Sequence, residues 1–415
     1  METGKLKRVL GLKDAVGVGL GAIIGAGIFV VTGVAAGVSG ASFLVGLMIA
    51  GIVASFNGLS SAQLAAVYPQ SGGTYEYGYR LLSPVWGFSA GWMFIISKLS
   101  AAGVVAIGFG SYFYQLVPVL SPVIYSLIAV FLLTIANLSG IQKAGSINIV
   151  IVMVTVLSLL YFVFGGLFSV SSENFTPFAP NGVLGIAEST AILFFAFTGY
   201  ARIATLAEEV REPRKTIPKA VIITIVSAVV LYAAVSFVAV GTVGAESMSH
   251  SRSPLQLAAG AMSAPGIGVI ITLGASTAML GVLLSQILGI SRMLLAMGRR
   301  NDLPRFFEKI DGKTSVPNVG IVFTGVVIVA ITLIGSFEFV VRSATFTILL
   351  YYSITNLSAI RQPGKEQIFG KIIPYLGLIG CLLMSVSLPF NVIISGIGVL
   401  IAGFGLRFLQ KRFNF

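Results

Sequence analysis

Long apolar runs return one after another along almost the whole chain, and they leave it few ways to fold. A helix needs roughly 20 apolar residues to cross a bilayer. Twelve stretches meet or approach that length, at about 15–38, 42–66, 85–117, 121–139, 146–169, 185–206, 217–243, 266–298, 318–335, 339–360, 371–388 and 391–409. They are continuous rather than alternating, which predicts helices and not barrel strands. Mean hydropathy is +0.98. Charged residues make up 10% of the chain, against about 25% in soluble domains. The expected class is therefore all-α integral membrane, about 12 transmembrane helices in a single domain spanning residues 1–415. The third and eighth stretches exceed what a bilayer demands and are expected to tilt.

The net charge of +12 reads as loop bias rather than as affinity for nucleic acid, because cytoplasmic loops collect Lys and Arg. With the N-terminus inside, the basic groups Lys5, Lys7, Arg8, Lys13, Arg80, Lys143, Arg211–Lys219, Arg299–Lys313, Arg361–Lys371 and Arg407–Arg412 all fall on the cytoplasmic side. Arg252 falls outside, with Arg342 near the start of the tenth stretch. The expectation is a multi-pass protein of the cell membrane with both termini cytoplasmic. Lys5, Lys7 and Arg8 lead straight into a full-length apolar run, so no cleavable signal is expected. Cys381 is the single cysteine, which leaves no disulfide framework and no Cys metal site, and the single histidine, His250, lies in a loop and reads as solvated. An enzyme would need a nucleophile with its base, or metal ligands. The spans hold no His or Asp, and Glu188 is nearly the only acid in them, so no catalysis is expected.

Two spans are interrupted. The first carries Gly21-Ala22-Ile23-Ile24-Gly25-Ala26-Gly27-Ile28-Phe29 at its centre. Glycine lets a helix unwind and lets another group approach the backbone, and it also lets helices pack tightly. The sixth carries Phe194-Phe195-Ala196-Phe197-Thr198-Gly199-Tyr200-Ala201-Arg202, where the Thr can satisfy a freed backbone group. The interruption recurs five spans on, so the second block of five enters the membrane from the opposite side. Paired broken helices in two inverted halves point to a transporter's central site.

The loops add chemistry. Tyr68-Pro69-Gln70-Ser71-Gly72-Gly73-Thr74-Tyr75 is a turn-rich connection, and Glu208–Pro218 is a mixed-charge one. Each reads as a solvated connector or as a salt-bridged cytoplasmic gate. These loops, the two interrupted segments, and Ser291-Arg-Met-Leu-Leu-Ala-Met297 with Asp302-Leu-Pro304 together resemble the amino acid–polyamine–organocation (APC) family over about residues 10 to 360. The resemblance implies a LeuT-type fold: a 5+5 inverted repeat, with the first repeat at about 14–170, the second at about 185–360, and two C-terminal helices at about 371–409. It also implies secondary transport of amino acids or related amines. Ala26, Gly27 and Ile28 would then face the substrate carboxylate across Gly25, as half-helix N-termini favour anions. Ile23, Ile24, Phe195, Ala196 and Thr198 would offer carbonyls to the ammonium beside Gly199, with Phe195 or Phe197 as an aromatic lid.

The chain departs from the arginine/agmatine branch of that family, which carries a Glu two residues after the glycine of the sixth-span break. Here that place is Ala201. No acid remains in the expected pocket for a guanidinium or polyamine, so a neutral amino acid is the expected substrate, with an amine or polyamine carrier as the alternative. A channel is the alternative of another class, and the paired breaks favour alternating access over it. Lys98 lies deep in the third span, where charged residues face the protein interior or a water-filled path. It is expected to carry a proton or to stand in for a cation. By resemblance, Thr155 sits where proton-coupled relatives place a Lys. A sodium ion would take the carbonyls of Gly21, Ile24 and Leu273 and the hydroxyls of Ser276 and Thr277. No cofactor is expected beyond a coupled sodium ion or proton.

Overall fold

The computed structural model describes residues 10–69, 72–140, 144–205, 207 and 209–413. Lys5, Lys7, Arg8, Gln70, Ser71, Lys143 and Glu208 lie outside the described residues. Among those described there is no strand, only a single bridge between Leu10 and Val210.

Each expected apolar stretch holds a helix. In chain order these are α1 (Leu12–Ile23), α2 (Thr32–Ser39), α3 (Phe43–Val67), α4 (Thr74–Leu81), α5 (Pro84–Leu116), α6 (Pro122–Leu138), α7 (Ala144–Gly166) and α8 (Gly182–Phe194). Then come α9 (Ala201–Thr205), α10 (Pro213–Ser249), α11 (Pro254–Gly260), α12 (Ile267–Arg299), α13 (Asn318–Ile334), α14 (Phe337–Arg361), α15 (Ile372–Val386) and α16 (Phe390–Phe413). Among the described residues, eight segments are long and apolar enough to cross a membrane. The first, Leu12–Val67, takes in two of the expected stretches, and α6, α13 and α15 are shorter apolar helices. Start signals are local: Pro84, Pro122, Pro213 and Pro254 open their helices, where the missing N–H costs nothing. α10 runs past the expected end at 243, but Gly244 at φ 76 breaks its helical geometry there. α5 and α12 are 33 residues each, roughly 50 Å at 1.5 Å per residue, well beyond a bilayer core of about 30 Å.

The interior is one large apolar cluster, while Phe131, Val230, Val326, Leu383 and Ile401 are turned outward. An apolar outer face suits lipid rather than water. At the core, α5 packs on α12 and α14, and α3 packs on α10. The two interrupted helices lie among them.

At the end holding the α3–α5 connection, Thr74 and Tyr75 of the turn-rich segment open α4, whose Tyr75 and Tyr77 are buried rather than solvated. Tyr75 and Tyr79 both donate to Asp302 Oδ2, at 2.8 and 2.5 Å. Arg407 of α16 donates to Asp302 Oδ1 at 2.8 Å and to the Tyr79 hydroxyl at 2.8 Å. Burial first, and the Asp302 carboxylate beside them, push both phenols above their ordinary range, which keeps them donors. Arg300 pairs with Glu76 at 2.8 Å. Among the described residues of the 208–218 loop, by contrast, there is one exposed pair, Lys215–Glu212 at 3.1 Å, of a kind worth little. At the opposite end Glu188 is not solitary: Arg342 of α14 donates to it at 2.8 Å and to Glu338 at 3.3 Å.

Candidate functional site

α1 stops at Ile23 because Ile24 turns extended, at φ −77 and ψ 106. The chain winds again as a π-helical turn over Gly27–Val31 before α2. The first N–H groups of a resuming helix have no partner within it. The second interruption is tightened rather than unwound: Phe195–Tyr200 is 3-10 helix between α8 and α9. As expected from its type, the Thr198 hydroxyl donates to a nearby backbone group, the Phe195 carbonyl, at 3.0 Å.

The two interruptions interlock through their glycines. A Cβ on Gly27 would stand 2.5 Å from Ala196 Cα, and one on Gly199 would stand 2.2 Å from both the carbonyl carbon and the oxygen of Ala22. Each backbone occupies the space where the other's side chain would be. Gly25 is different, since its Cβ would meet only the Val282 side chain, at 3.0 Å. The packing reading of these glycines therefore holds at Gly27 and Gly199, and it does not compete with a pocket, because a pocket opens beside the same contact.

That cavity is lined by Ile23, Gly25, Ala26 and Gly27 from the first interruption and by Phe195, Ala196, Thr198 and Gly199 from the second. α5 adds Ser97 and Lys98, and α12 adds Val282 and Gln286. Lys98 is half-buried, with its ammonium 5.9 Å from the Phe94 ring centroid. Ser97 is committed to α14, donating to the Ala344 carbonyl at 3.0 Å. The Gln286 Oε1 is buried without a hydrogen-bond partner.

Other expected site residues lie elsewhere. Ile24 and Ile28 are buried in the core and do not line the cavity. Phe197 is fully buried against Tyr232, centroids 5.5 Å apart, so of the two phenylalanines only Phe195 reaches the cavity. The groups named for sodium, and Thr155, are not part of this cavity. The Thr155 hydroxyl donates to Ile151 O at 2.7 Å and reaches Gly274 O at 3.4 Å. The Thr277 hydroxyl donates to the Leu273 carbonyl at 2.8 Å, on a face of α12 where the Leu273 side chain is 47% exposed. Ser276 is buried with an unpartnered hydroxyl.

Sequence reading missed the residues that hold the broken ends. Tyr232 of α10 donates to the Ile23 carbonyl at 2.8 Å, and Tyr352 of α14 donates to the Thr198 carbonyl at 3.0 Å. Backbone freed at membrane depth persists only where protein or water satisfies it, and these phenols do so. A carbonyl has two lone pairs, so each can still accept from a ligand. Tyr232→Phe and Tyr352→Phe are each expected to cost about 1–3 kcal/mol, the penalty for leaving a buried acceptor unpaired. The check is thermal unfolding of the purified variants beside wild type. Unchanged stability in both would mean that water already serves these carbonyls.

Comparison with known proteins gives one consistent result. The family described as amino acid permease matches residues 14–413. An uncharacterized transporter of Mycobacterium tuberculosis is 36% identical over 413 residues, 98% of this chain and 93% of that protein. The branched-chain amino acid permease BcaP of Bacillus subtilis is 27% identical over 435 residues, covering 98% of this chain and 94% of its own. A methylthioribose transporter of Bacillus subtilis is equally similar, 27% over 438 residues with the same coverage.

Proposed function

We propose that this chain, which belongs to the amino acid permease family, is a secondary transporter that carries amino acids through the membrane by alternating access around the cavity between its two interrupted helices. The observation that carries the proposal is the cavity lining: residues of both breaks meet there. An amino acid brings a carboxylate and an ammonium, and this pairing suits both ends. A relative named as a branched-chain amino acid permease supports the class. An equally similar relative that carries methylthioribose means that identity alone does not name the substrate. The neutral-substrate expectation rests on missing acids. Among the described lining residues there is none, and Lys98 is present, which argues against amine, polyamine or other cationic cargo.

In this reading the chain spans the bilayer twelve times as two inverted sets of five and two final helices. It sits in the plasma membrane with both ends and the Asp302 cluster on the cytoplasmic side. Energy comes from a proton gradient or from exchange rather than from sodium. Support for that choice is that the sodium candidates do not line the cavity and that the Thr277 hydroxyl is already given to the Leu273 carbonyl.

The test is transport by the purified protein in liposomes. Saturable uptake with counterflow is expected, driven by a pH gradient or by internal amino acid, and unchanged by a sodium gradient or by Ser276→Ala/Thr277→Ala. Lys98→Met is expected to flatten the pH dependence. Flux that neither saturates nor shows counterflow would make the protein a channel, and sodium-driven uptake lost in the Ser276/Thr277 variant would restore the sodium site.

A further inference from the structure

While Lys98 holds its proton, it leaves the cavity with a charge that a neutral amino acid cannot balance. In the transporter reading a zwitterionic backbone is already matched: its carboxylate would meet half-helix N–H groups and its ammonium would meet carbonyls. Lys98 is then one positive charge in excess. None of the ion pairs among the described residues includes Lys98. Phe94 offers only a ring face. Closing such a cavity over a neutral substrate strips water from an uncompensated charge, which is costly in a low-dielectric interior.

Building on the transporter reading, we infer that the cavity takes an amino acid whose side chain is itself a carboxylate, aspartate or glutamate, with Lys98 binding that carboxylate and Gln286 beside it. Such a substrate brings one net negative charge, and the occupied cavity becomes neutral. Lys98 donates to a carboxylate from a flexible stem with three N–H groups. Gln286 is suited to the same group. Its buried Oε1 has no partner, and the amide turned over presents its N–H2 at that position. The Ser97 hydroxyl, already given to Ala344, stays a fixed wall between α5 and α14. Ala101 and Val105 of α5 add an apolar part to the lining.

The experiment is ligand-induced thermal stabilisation of the purified full chain, with aspartate, glutamate, leucine and lysine, each in chloride and in gluconate. Wild type is expected to respond to aspartate or glutamate at concentrations at least tenfold below leucine, in either salt, and not to lysine. Lys98→Met should weaken the acidic ligands by about a hundredfold, the scale set by removing one partner of a buried charged pair, and so reverse the order. Gln286→Glu changes volume little and supplies the missing carboxylate in place. It should weaken the acidic ligands likewise and strengthen leucine, which keeps the inference testable if Lys98→Met does not fold. Tighter binding of leucine than of glutamate by wild type, or an unchanged order in both variants, overturns it. Leucine binding that needs chloride and loses that need in Lys98→Met also overturns it, because Lys98 would then hold a free inorganic anion. If no amino acid of any class stabilises the protein, the amino acid reading itself fails.

Discussion

Uptake is expected to fall to the background of empty liposomes when Gly199 is replaced by alanine. The added Cβ would lie 2.2 Å from the Ala22 carbonyl carbon and oxygen and 2.4 Å from Ile23 N, and all three are backbone atoms that no rotamer change can move aside. Overpacking a core costs typically 1–3 kcal/mol. A contact this short between two main chains belongs at the top of that range, and it displaces α1 where the cavity begins. Gly27→Ala, 2.5 Å from Ala196 Cα, should behave alike. Gly25→Ala is the contrast, since its only close neighbour is Val282 Cγ2 at 3.0 Å. It should reach the membrane at normal levels with weakened uptake, because the methyl narrows the cavity without forcing the helices apart. Membrane yield and initial uptake rates, measured side by side, decide the matter. Wild-type rates in Gly199→Ala would mean that the two breaks separate freely during transport.

The second large effect is expected at the Asp302 cluster. Arg407→Met removes the cation from a carboxylate whose side chain is 1% exposed. Breaking a buried pair from one side costs about 3–5 kcal/mol, because the remaining charge has no water to return to. Tyr75 and Tyr79 soften the loss, since both still donate to Asp302, so the lower end of that range is expected. Asp302→Asn/Arg407→Met should recover much of it by removing both charges together. Unfolding of purified protein followed by fluorescence measures this. A single variant as stable as wild type would show that the two phenols alone hold the carboxylate.

The helices could be read from sequence because long apolar runs have one answer in a bilayer, and Pro and Gly mark where each begins or bends. α4 escaped that reading because Thr74–Leu81 is short and polar outside its tyrosines. What makes it a helix is Asp302, more than 200 residues away. The cavity was half legible. Glycines cluster at both breaks, so Gly25, Gly27 and Gly199 could be picked out locally. Ser97, Val282 and Gln286 could not, since only the apposition of α5 and α12 brings them there. Gln286, an amide within an apolar run, was the one local hint. Phe195 and Phe197 differ by their phase in a 3-10 turn, where residues sit three to the turn. Two positions apart, one meets the cavity and the other meets Tyr232.

The reciprocal glycine contact also bears on how such a chain can change over generations. Gly27 is small because Ala196 is there, and Gly199 is small because Ala22 and Ile23 are there. The two segments lie about 170 residues apart in sequence yet form a single inherited unit. A hybrid that takes the first break from one relative and the second from another joins two surfaces shaped for different partners. Drift at either break is therefore held back by the other, and the freedom to acquire a new cargo shifts to α5 and α12, whose side chains line the cavity without forming that contact.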